Sequence, residues 1–148
     1  MEKVSSKFLE IVEQLTFMFG EPTPRTELDL EAETFVLARM SFTGDLAGSL
    51  SVAVPVEITA EIAANILGLE PEEVDSEEMK MDALGEMLNV VCGHVIMCLV
   101  GTDANFVLNS PEEMPVDAAM LDEMAVSDDF LGFTLDDSPA LFGLTLEN

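Results

Sequence analysis

The stretch from Ser76 to Gly101 constrains the fold of this chain more than any other. It is mostly apolar, opens on a candidate N-cap at Asp75 or Ser76, and is stopped by Gly101, so it reads as one long helix ending at Val100. At about 100° per residue, Leu84, Met87, Val91, Val95 and Cys98 share one side and form the expected core face. The opposite side carries Asp82, Glu86, Asn89 and Gly93, an i, i+4, i+7, i+11 series within an arc of about 60°. Asp75 and Glu78 extend this polar seam toward the helix N-terminus.

The remaining elements are shorter. Apolar residues at helical spacing (Phe8, Leu9, Ile11, Val12, Leu15, then Met18 or Phe19) predict a first helix capped by Ser5 or Ser6 and ended by Gly20-Glu21-Pro22. Another helix is predicted from about Glu57 to Leu67, stopped by Gly68, and a short one around Val116 to Met124. Phe35–Phe42 and Leu46–Val54 alternate around Gly44-Asp45 and predict a hairpin. A second hairpin is Phe130–Leu135, a turn at Asp136–Pro139, then Leu141–Leu146, and Phe106-Val107-Leu108 adds a strand after the long helix. The order helix, linker, hairpin therefore occurs twice, an internal pseudo-duplication. The expected fold class is α+β, an antiparallel sheet with helices packed on one face, in one domain spanning 1–148.

Charge narrows the function. Thirty acidic residues face five basic ones, giving a formal net charge of −25. Nucleic-acid binding needs clustered Lys and Arg, so neither nucleic acid nor an anionic membrane surface is an expected partner. A partner that presents positive charge fits better. The N-terminal stretch has no continuous apolar run of the signal-peptide kind, and Val90–Val100 is interrupted by Gly93 and His94. Cys92 and Cys98 lie six apart on the long helix and point to different faces, so reduced thiols in the cytoplasm are expected. His94 and Cys98 offer only a two-ligand half-site, and Asp128-Asp129 and Asp136-Asp137 lack EF-hand spacing, so no metal site is expected.

The seam is more than ordinary amphipathicity. Asn is a poor helix former whose amide both donates and accepts hydrogen bonds. Gly93 costs about 1 kcal/mol against Ala in a helix interior and leaves room for another backbone to approach. Glu86 lies one turn from Asn89, so carboxylate and amide project together. The residues alone leave two readings open: the pair ties down a neighbouring loop, or it is presented to a partner. A loop tie requires internal hydrogen bonds; presentation requires exposed, unpartnered side chains.

The string Asp82-Ala-Leu-Gly-Glu86-Met-Leu-Asn89-Val-Val-Cys-Gly93 matches D-x-x-x-E-x-x-N-x-x-x-G, and Thr43-Gly44-Asp45-Leu46-Ala47-Gly48-Ser49-Leu50 matches T-G-x-x-x-G-S-L. On these residues the chain resembles the CheC/CheX/FliY family of chemotaxis phosphatases, and its single-motif, CheX-like members in particular. The resemblance implies a CheC-like fold and a phosphatase that hydrolyses the phospho-aspartate of a CheY-like response regulator. Asn89 would orient the attacking water, Glu86 would pair with the regulator's active-site lysine, and Asp82 and Gly93 would support the helix. Mg²⁺ would be supplied by the regulator, with no cofactor of this chain's own. The resemblance also implies a homodimer through sheet edges. The alternative it leaves is a non-catalytic module of the same fold that binds a receiver domain or a flagellar switch component. CheC-like members carry two motif copies; Glu13-x-x-Thr16-x-x-x-Gly20 reads here as a decayed one, leaving one site per chain.

Overall fold

The structure is a computed structural model and describes residues 2–31 and 34–147. The described residues form four α-helices: α1 (Glu2–Thr16), α2 (Thr59–Leu67), α3 (Glu77–Val100) and α4 (Ala118–Val126). Seven strands form one antiparallel sheet: β1 (Gly20–Pro22), β2 (Phe35–Gly44), β3 (Gly48–Pro55), β4 (Phe106–Leu108), β5 (Glu112–Pro115), β6 (Phe130–Leu135) and β7 (Ser138–Leu146).

Alternation along the strands sorts the core into two layers. On β2, Val36, Ala38, Met40 and Phe42 face α1, α2 and α3, while Phe35 and Leu37 face the other way. The first layer is the main core, and Phe8 of α1 stacks there on Phe142 and packs tilted against Phe133, with ring centroids 4.2 and 4.9 Å away. On the reverse face Phe35, Leu37, Ala53 and Leu141 are covered by Met120, Leu121 and Met124 of α4. Helices on one face is therefore right for α1–α3 and is corrected for α4, which closes the opposite side. A short, weakly patterned helix gives no sequence signal of which face it will cover.

Local chemistry sets the element ends. Ser76 caps α3 by accepting the Met79 N–H at 3.1 Å, and Asp117 caps α4 by accepting that of Met120 at 2.9 Å. The first helix departs from expectation at both ends. It begins at Glu2, so Ser5 and Ser6 lie inside it, and it stops at Thr16, whose hydroxyl donates to the Val12 carbonyl and accepts from Met18 N–H. Phe17 then turns left-handed at φ 60°, and Gly20 opens strand β1 instead of merely ending a helix. The second hairpin turn is also tighter than expected. Asp136 and Asp137 alone form it, both at positive φ, and Ser138 and Pro139 already belong to β7.

α3 is buried more widely than its predicted core face. Leu84, Met87, Leu88, Val91, Cys92, Val95 and Ile96 are all fully buried, whereas Cys98 is only half-buried, its Sγ 3.9 Å from the Lys3 carbonyl. By length and hydropathy α3 could cross a bilayer, yet half of its most apolar window is buried inside this domain. Cys92 and Cys98 are free thiols, and burial pushes the Cys92 thiol up to about 12.

The duplication extends to the sheet. Its order, β1-β6-β7-β3-β2-β4, is unchanged when the halves are exchanged. β3 pairs with β7 at the centre, β1 of the first half pairs with β6 of the second, and β4 of the second pairs with β2 of the first. Each half thus completes the other's hairpin.

Candidate active site

The seam on α3 forms one wall of an open groove of about 460 Å³, lined on the helix side by Asp82, Gly85, Glu86 and Asn89. Glu86 and Asp82 are exposed and Asn89 is half-buried. Among the described residues the side chains of Glu86 and Asn89 make no hydrogen bond or ion pair within the chain. The loop-tie reading fails on that point, because nothing holds these side chains down. Carboxylate and carboxamide stand one turn apart and free.

The facing wall is a β-bulge. β4 and β5 both pair with β2, but between Phe42↔Leu108 and Arg39↔Glu112 the edge strand inserts one extra residue. The bulge, Asn109-Ser110-Pro111, lines the groove opposite Asn89. It is fixed by the Asn109 N–H donating to the Ser41 carbonyl at 3.0 Å and the Asn109 amide donating to the Ser41 hydroxyl at 2.7 Å. The Thr-Gly-Asp hairpin supports the same wall from its base. Asp45 accepts the Asn105 N–H at 2.8 Å and returns its own N–H to the Asn105 carbonyl at 2.9 Å. Gly44 sits at φ +129°, where a Cβ would fall 2.4 Å from that carbonyl oxygen. Gly44 therefore allows β4 to start where it does, and the second motif acts on the groove through that placement.

Gly85 is the residue that sequence reasoning missed. A Cβ there would lie 3.1 Å from Pro111 Cγ and 3.5 Å from Glu113 Cδ, so its absence lets the bulge and β5 close against the helix. The signal was available: a glycine in a helix interior, adjacent to Glu86, at the usual cost in helix propensity. Gly93, expected to admit another backbone, has nothing within 4 Å of a would-be Cβ, so the space exists and no described residue of this chain enters it. Glu113, also unsuspected, projects from β5 toward α3. Burial raises its carboxyl above the ordinary value, and the negative charge of Asp82 adds to the shift. Among the described residues no cation offsets that pair. His94 is exposed on α3, and no cluster of His, Cys, Asp or Glu suited to a metal ion occurs among the described residues.

The first-half twin of this site is not where the sequence placed it. Thr16 is fully buried and engaged at the end of α1, and Gly20 lies in a strand, so Glu13-Thr16-Gly20 forms no counterpart. Val4, Phe8, Ile11 and Val12 are spaced and buried like Leu88, Cys92, Val95 and Ile96. Ser5 lines a groove with Pro22–Arg25 after β1, as Asn89 does with Leu108–Pro111 after β4. Leu9 approaches Gly20 one turn further on. The twin is therefore Glu2 and Ser5, with Leu9 where α3 has Gly93. Helical periodicity repeats every turn, so the sequence could not fix the register between the two helices; the strands that follow them do.

Residues 36–117 match the family model of the chemotaxis phosphatase CheX. The chain belongs to the CheX family. That span contains the T-G-x-x-x-G-S-L hairpin, the whole α3 seam and the bulge. Solved structures agree in fold over nearly the full length. CheX from Desulfovibrio desulfuricans is 15% identical with a TM-score of 0.70, covering 99% of this chain and 97% of that one. A CheC-like superfamily protein from Shewanella sp. PV-4 is 20% identical with a TM-score of 0.65, covering 99% and 96%. The CheX of a CheX–CheY–BeF₃–Mg²⁺ complex from Borrelia burgdorferi is 15% identical with a TM-score of 0.67, covering 99% and 97%. No curated protein matches the chain by sequence.

Proposed function

We propose that this CheX-family chain accelerates hydrolysis of the phospho-aspartate on a CheY-like response regulator. The observation that carries the reading is the pair Glu86 and Asn89, free of internal partners and facing an open groove. The family match and the likeness in fold to a CheX found in complex with CheY, BeF₃ and Mg²⁺ support it. An acyl phosphate is already activated, so catalysis is a matter of positioning and charge rather than covalent chemistry. Asn89 has the right donors and acceptor to hold a water in line with the scissile bond. Glu86, exposed one turn earlier, is placed to meet a cation of the regulator and set the helix against it. Mg²⁺ carried by the regulator would neutralise the phosphoryl oxygens; the residues on this side bind and orient.

The test is phosphate loss from a panel of phosphorylated receiver domains, with and without the protein, using wild type and Glu86→Ala. Acceleration is expected for at least one receiver, with Glu86→Ala raising the concentration needed for half-maximal effect. No acceleration across the panel rejects the phosphatase. Saturable binding without acceleration would leave the fold as a docking module.

A further inference from the structure

The groove does not end at the catalytic seam. Glu113 borders it and also borders a second, mainly apolar cavity of about 260 Å³, between the first turns of α3 and the start of β2. Val36 forms the floor, Val56, Met81 and Pro115 form the sides, and Glu77 and Glu113 stand on the rim. Met81 is the residue before Asp82, so the two hollows run on along one cleft between α3 and β5. The apolar hollow is smaller than the roughly 300 Å³ at which small-molecule pockets begin and has room for one large side chain. Its rim charges are unequal: Glu77 is paired with Lys80 at 3.2 Å, while Glu113 has no cation near it among the described residues.

We infer that this hollow is an anchor point for the receiver domain, taking one aliphatic or methionine side chain from the receiver's surface with a basic neighbour lying over Glu113. The inference rests on the phosphatase reading and assigns the docking contact that the seam alone does not supply. Two features select this partner. The hollow is continuous with the groove that would hold the phospho-aspartate, so a domain seated on Asn89 lies over it. Its apolar lining and single uncompensated carboxylate are complementary to an apolar side chain flanked by a cation. Buried apolar anchors of this kind carry a large share of interface affinity, and methionine walls adapt to the side chain they receive.

Met81→Gln keeps the length of the side chain and makes the wall polar; Val56→Thr does the same with less volume at stake. Each variant is first checked for a wild-type melting profile. Affinity for the BeF₃⁻-loaded receiver and steady-state dephosphorylation are then measured together. The expected result is a rise of about tenfold in Kd and KM for Met81→Gln and a smaller rise for Val56→Thr, the loss falling on KM rather than kcat. Wild-type Kd and KM in both variants, alongside normal wild-type turnover, would overturn the anchor and leave the phosphatase standing. A fall in kcat at constant Kd would also overturn it. If the wild-type protein neither binds nor dephosphorylates any receiver, both readings fall.

Discussion

The two halves of this molecule share a topology and differ in what they do with it. In both, a helix presents one face to a groove whose far wall follows the next strand. In the second half that wall is a bulge leading into β5, Gly85 lets it close on the helix, and Glu86 and Asn89 remain free. In the first half the wall turns into a short 3-10 segment at Arg25–Glu27. The Arg25 guanidinium is spent on the Met124 and Ser127 carbonyls at the end of α4. The carboxamide is gone, replaced by Ser5, and Leu9 stands where the open glycine would be. The core is unequal too. Phe8 stacks on Phe142 and meets Phe133, whereas the equivalent places in the other half hold Cys92, Leu50 and Phe42. One half has become the anchor of the fold, and the other keeps its polar groups available.

The largest effect that could break this contrast is on stability. Phe142→Ala removes a fully buried ring from the stack on Phe8 and should cost about 3–5 kcal/mol in denaturant unfolding. Leu50→Ala, at the equivalent place, should cost less; an equal or greater loss there would show that the core is not weighted toward the aromatic cluster. The smallest effect sharpens the electrostatic side. A carboxyl whose folded pKa is raised adds stability fully below its unfolded value, about 4.3, and that contribution is lost as pH rises through the folded value. Charged Glu113 is thus a net cost at neutral pH. Glu113→Gln should melt slightly above wild type at pH 7, with the advantage gone near pH 4. An advantage of the same size at both pH values would argue that the substitution acts through packing.

Much of this was legible beforehand. The span of α3, its seam, both hairpins and the repeat follow from periodicity and stop signals, which are local. What was not legible depended on distant contacts. β1 and β5 are short edge strands whose pairing partners lie far along the chain, and nothing in Gly20-Glu21-Pro22 or in Glu112–Pro115 alternates strongly enough to announce them. The bulge depends on Ser41 meeting Asn109, and the importance of Gly85 on Pro111 lying opposite it. The true twin, Ser5, was hidden because α1 begins before the serines that read as its cap.

On the proposed function, one half carries the chemistry through Asn89 and the other has none. Phosphate release from a phosphorylated receiver domain, followed side by side for wild type, Asn89→Ala and Ser5→Ala, tests it directly. Asn89→Ala is expected to lose about 10²-fold in the accelerated rate, on the scale of removing one positioned hydrogen-bonding group, and Ser5→Ala to match wild type. Asn89→Ala with undiminished activity, or Ser5→Ala with an equal loss, would contradict it.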